Sequence, residues 1–68
     1  MNNPIEPKHY TQFKITPVDA IEEWNLNFSL GNVIKYVGRA GRKGDKLEDL
    51  KKAQWYLNRE ISRLEERL

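Results

Sequence analysis

The sequence predicts an all-α protein: a short N-terminal helix, then a helical hairpin with a long C-terminal helix, preceded by an extended N-terminal arm and assembled as a homo-oligomer. Three observations point there. Apolar residues recur at spacings of three and four in two segments, which is the period of a helix and not the alternation of a strand. Helix-start residues stand before three segments, at Thr16, at Asn27 or Ser29, and at Asp45. The third is size. A chain of 68 residues without Cys has no disulfide, and a domain near this length buries only about 60% of its unfolded surface. Close helix packing or association with further copies must supply the rest.

The expected organisation is an arm over residues 1–15 and one helical domain over 16–68, with helices at about 17–25, 29–40 and 46–67. The arm carries Pro4 and Pro7, which interrupt any helix, yet it also holds His9, Tyr10 and Phe13 and is too aromatic for a simple tail. In "TPVDAIEEW", Thr16 suits the N-cap, Pro17 the first helical position and Asp19 the acid of a capping box. Val18, Ile21 and Trp24 fall on its inner side.

The second helix lies in "NLNFSLGNVIKYVGRAG", capped by Ser29 or Asn27. Leu30, Val33, Ile34 and Val37 form an apolar stripe expected in the core. Gly31 and Gly38 are costly inside a helix, by about 1 kcal/mol each relative to Ala. They lie on nearly one face, so another helix or a ligand is expected to approach there, and a subunit contact is the specific expectation. Gly41 suits the position just past the helix end, with Arg39 and Arg42 beside the terminal carbonyls.

The third helix opens on Asp45 and Glu48. Leu47, Leu50, Gln54, Leu57, Ile61, Leu64 and Leu68 then repeat as a heptad seam with one polar interruption. A seam this long exceeds what a small monomer needs. Its turns past residue 58 are expected to pair with another copy.

Net charge is +2, unevenly spread. Lys35 to Lys46 holds five basic residues and one acidic, a net +4 that leaves −2 for the remainder. A local basic patch of this kind suits a compact anionic partner better than a long polyanion, so nucleic acid is a poor expectation. No apolar run approaches the roughly 18 residues of a membrane span, and the N-terminus lacks the regions of a signal peptide. A soluble cytoplasmic protein with no membrane partner is expected.

Two polar stripes could carry chemistry. Asn32, Tyr36 and Arg39 share one line on the second helix, with Lys35 beside it. Lys52, Tyr56 and Arg59 share one on the third, flanked by Trp55. In a hairpin these stripes can converge. Arg and Lys would then meet phosphate, the rings would stack on bases and Asn32 would bond base or ribose. The plainer reading is a solvated basic face with packed aromatics. The "GRAGRKGD" loop is not a P-loop, because no G-x-x-x-x-G-K-[ST] and no preceding strand are present, and it reads as an interhelical turn. His9 is the one histidine, either a structural hydrogen-bonding residue or, with Tyr10, a pocket-closing one. The sequence contains no metal-ligand set and no Ser-His-Asp or Cys-His arrangement, so no catalytic residue is assigned.

The stretches "HY", "PVDAIEEW", "NFSLGNVIKYVGRAGRKGD" and "EDLKKAQWYLNREI" closely resemble a family of small phage-encoded proteins. That family was long catalogued as a domain of unknown function and often carries the label nucleotide kinase. It shares its motif with a larger phage nucleotide kinase that lacks a P-loop. The resemblance covers about residues 9 to 61. By position its motif falls on His9, Tyr10, Pro17, Asp19, Trp24, Asn32, Lys35, Tyr36, Arg39, Gly41, Asp49, Lys52, Ala53, Trp55, Tyr56 and Leu57.

The resemblance implies binding of nucleoside monophosphates and oligomer formation in an infected host cell. The additional sequence of the larger kinase is absent. The expectation is therefore a binder: a homo-oligomer holding a nucleotide or nucleotide-derived signal, cyclic ones included, in interchain pockets, so as to sequester a host defence messenger. The expected ligand-binding residues are His9, Tyr10, Asn32, Lys35, Tyr36, Arg39, Lys52, Trp55, Tyr56 and Arg59, with no cofactor. The alternative is a nucleoside monophosphate kinase using ATP and Mg²⁺, with Asp19, Glu48 and Asp49 as its metal carboxylates. A nucleic-acid or protein adaptor is the third reading.

Overall fold

The computed structural model describes residues 13–67. Among them the protein is all-helical, with three helices and no strand: α1 (Pro17–Glu23), α2 (Phe28–Arg39) and α3 (Lys46–Glu65). The predicted arm lies largely outside the described residues.

α1 starts as its sequence dictates. The Thr16 hydroxyl accepts from the Asp19 backbone N–H at 3.2 Å, and the Thr16 N–H donates to the Asp19 carboxylate at 3.0 Å. This is a reciprocal capping box, with Pro17 at the first helical position. The helix ends early because Asn25 adopts a left-handed conformation, φ 51°, which Asn tolerates better than most residues.

Asn27 is the N-cap of α2, its side-chain oxygen accepting from Leu30 N–H at 2.9 Å. Past the other end, Gly41 takes φ 81°, the left-handed position where glycine carries no Cβ penalty. The Arg42 side chain folds back and donates to the Gly38 carbonyl at 3.1 Å. The basic Gly-rich stretch is thus a turn whose Arg42 serves the helix end. Asp45 caps α3, accepting from Leu47 N–H at 2.9 Å.

α2 is the central element, packed along its length against α3 and also against α1. The Gly31/Gly38 face is taken by α1 of the same chain, which corrects the expected subunit contact. A Cβ on Gly31 would stand 3.3 Å from Ile21 Cγ2, and one on Gly38 3.4 Å from Pro17 Cγ. The two glycines let α1 approach the α2 backbone closely.

The line of α3 that meets α2 is not the leucine seam. It runs through Asp49, Ala53, Tyr56 and Glu60, which share one side of the helix at about 100° per residue. Small Ala53 permits close approach at the centre. Polar ties hold both ends. At the open end Asn27 donates to Glu60 at 2.8 Å, and at the turn end Arg39 Nε lies 3.4 Å from Asp49 Oδ2.

The apolar stripe of α2 is likewise not a closed core, since Val37 is 52% exposed. Among the described residues Ala53 is the one buried hydrophobic side chain. The molecule measures 42 × 27 × 16 Å along its principal axes.

Candidate functional site

Tyr36 of α2 and Tyr56 of α3 bring the two predicted stripes together. Their rings stack with centroids 6.0 Å apart and planes 10° from parallel. Trp55 meets Tyr56 edge-on at 5.0 Å and remains 61% exposed. The Lys52 ammonium sits 5.4 Å above the Tyr36 ring, and that of Lys35 5.2 Å from the same ring. Each is a cation–π distance. Tyr36, Lys52, Trp55 and Tyr56 line a shallow open cleft of about 320 Å³. Arg59 continues it, lining an adjoining depression with Trp55, Asn58 and Ser62. Five of the predicted residues thus share one surface, and Lys35 borders it.

The remaining residues are placed elsewhere. Asn32 turns back along its own helix and donates to the Phe28 carbonyl at 2.9 Å. Arg39 faces Asp49, whose exposure is 2%. The 3.4 Å separation of their nearest atoms, without hydrogen-bond alignment, makes an ion-pair contact. Arg39 therefore neutralises a buried carboxylate at the turn end of the hairpin. His9 and Tyr10 lie outside the described residues.

Phe28 was missed. Its ring meets Tyr56 edge-on at 6.0 Å, extending the aromatic surface by one residue. The signal was present: Phe28, Asn32 and Tyr36 are spaced by four and share a helix side.

The carboxylates that a metal would need are engaged separately. Asp19 is held by Thr16, Glu48 pairs with Lys52 at 3.2 Å, and Asp49 faces Arg39. No group of three or more His, Asp or Glu side chains within reach of one ion exists among the described residues. The residues offered for Mg²⁺ do not fit it, and no step is derived through it. The Thr16 backbone and hydroxyl hydrogen bonds hold the Asp19 carboxyl below its ordinary value of 3.8, a signature of capping.

Among the described residues no helix is long and apolar enough to cross a membrane. Neither the curated proteins nor the solved structures contain a match to this chain. The model of a family described as a protein of unknown function, DUF3310, matches residues 4–58. That span holds every residue of the aromatic cleft and most of the hairpin, and the chain belongs to the DUF3310 family.

Proposed function

We propose that the protein binds a nucleotide or nucleotide-derived ligand on the Tyr36–Tyr56–Trp55 surface, as a binder and not as an enzyme. The observation that carries this reading is the stacked Tyr36–Tyr56 pair with Lys52 above it and a largely exposed Trp55 beside it. An exposed Trp is an open stacking platform, and base–aromatic stacking contributes about 1–3 kcal/mol per base. Lys52 and Arg59 stand on the same side of α3 to meet a phosphate.

The cleft has one wall, whereas a small-molecule site usually encloses most of its ligand. A further chain supplies the second wall in this reading, giving an interchain pocket. Resemblance to the phage family extends the reading to sequestration of a host defence messenger, with cyclic nucleotides among the ligands to test.

The test is a Trp fluorescence titration with nucleoside monophosphates, ATP and cyclic dinucleotides, followed by recovery of ligand after denaturation. Saturable quenching and unchanged ligand support a binder. Converted ligand in the presence of ATP and Mg²⁺ would replace it with the kinase reading. Binding confined to DNA or RNA, with a steep salt dependence, would replace it with the adaptor reading.

A further inference from the structure

The hairpin has a second face, built from leucines. On α3 the line that meets α2 is flanked on one side by the aromatic cleft and on the other by Leu50, Leu57, Ile61 and Leu64. At about 100° per residue these four lie within a 60° arc. Each remains substantially exposed, at 41%, 43%, 44% and 53%. Among the described residues Ala53 is the one buried hydrophobic side chain, so this strip is apolar surface left outside the core.

The charges along the strip indicate what covers it. On its outer flank Lys51, Asn58 and Glu65 fall seven residues apart on nearly one side of the helix. The order is basic, neutral, acidic. That order is self-complementary only when reversed: a second α3 running antiparallel sets Lys51 against the partner's Glu65, with Asn58 near its own copy at the axis. The same register sets Leu57 against the partner's Ile61, and Gln54 against the partner's Leu64. A parallel pair would instead carry Lys51 past the partner's Lys46, a repulsive contact.

We infer that the Leu50–Leu64 strip of α3 is an isologous interface, on which a second copy of this chain packs antiparallel about a two-fold axis near Asn58. The pairing removes the exposed strip of both chains from water. It leaves both aromatic clefts facing outward, and it holds whether or not they bind nucleotides.

The absence of Cys from the chain makes the test clean. Single-cysteine variants Lys51→Cys, Asn58→Cys and Glu65→Cys are treated with a bis-maleimide linker spanning under about 10 Å. In the antiparallel register only Asn58→Cys links to itself. Positions 51 and 65 are each displaced from their own copy by 14 residues, about 21 Å at 1.5 Å per residue, and link only when the two variants are mixed. Light scattering on the wild-type chain is expected to give at least twice the 8.1 kDa chain mass, and Leu57→Glu to lower it, with circular dichroism reporting whether that variant keeps its helices. Equal self-linking at all three positions means a parallel pair and overturns the inference. So does a wild-type monomer at micromolar concentration, which would leave the strip to a different protein or to a lipid surface.

Discussion

The two sides of the α2–α3 hairpin share a backbone and differ in how complete they are. On the cleft side each major ring already has a neighbour within the chain: Tyr36 on Tyr56, Trp55 against Tyr56, Phe28 at its edge. On the leucine side the side chains project from one helix and stay about half exposed. The lesson concerns preorganisation. A stacking platform assembled within one fold can meet a small ligand at little further entropic cost. An apolar strip gains only when a large complementary surface removes it from water. One side is suited to a ligand and the other to a protein.

The largest expected effect breaks both sides at once. Arg39→Ala leaves the Asp49 carboxylate buried without its counter-charge, and removing one partner of a buried ion pair costs about 3 kcal/mol or more. Because Arg39 is itself part exposed, the lower end of that range is expected. Urea denaturation should show the loss directly. A stability within 0.5 kcal/mol of wild type, on the scale expected of a neutral surface change, would remove Arg39 from the structural frame. This also bears on binding assays, since lost nucleotide affinity in Arg39→Ala would follow from a loosened hairpin and would not identify Arg39 as a ligand contact.

Next in size is a change meant to separate the two sides. Trp55→Ala removes the exposed stacking ring and should weaken nucleotide binding about tenfold or more, given 1–3 kcal/mol per stacked base and 1.4 kcal/mol per decade. Its mass in light scattering should stay that of wild type. Leu64→Glu should do the reverse, lowering the mass while each folded chain keeps its quenching by ligand. If Trp55→Ala instead changes the mass without ligand, the chain that supplies the second wall of the cleft packs on Trp55 itself, and the two sides of the hairpin are not separable in this way.

The helices and their caps were legible because they depend on local chemistry. Thr16, Asp45 and Gly41 state a start or an end within four residues. Tyr36 and Tyr56 were legible as a meeting point because a short turn forces an antiparallel hairpin. What the sequence concealed is which line of α3 faces α2. The leucines make the stronger apolar pattern, yet the packed line is Asp49, Ala53, Tyr56 and Glu60. It wins through a small residue at the crossing and polar partners at both ends, and periodicity scores neither. For the same reason Arg39 read as a phosphate ligand: its partner Asp49 lies ten residues on, beyond the turn, and only the folded hairpin brings the two together. The Gly31/Gly38 face was legible as a close approach, but not as an approach by α1.

The smallest effects serve as controls, because α1 lines neither the cleft nor the leucine strip. Thr16→Ala deletes the N-cap hydroxyl and should cost about 1 kcal/mol, with ligand quenching and mass unchanged in the folded protein. Asp19 makes the same point through pH. Its carboxyl is held below the ordinary value of 3.8 by the Thr16 hydrogen bonds, so folding favours its charged form. The unfolded chain then binds the proton more readily, and stability rises with pH across the interval between the folded and unfolded values. The contribution is fully present above pH 4 and is lost as pH falls through the folded value. Asp19→Asn removes this titration and leaves the other acidic groups in place. The stability gap between wild type and Asp19→Asn should therefore be constant from pH 5 to pH 7 and shrink below about pH 4, measured by urea denaturation at each pH. A gap that stays constant down to pH 2.5 would mean that the capping box does not depend on the Asp19 charge. A gap accompanied by lost ligand quenching at pH 7 would tie α1 to the cleft side and end its use as a control.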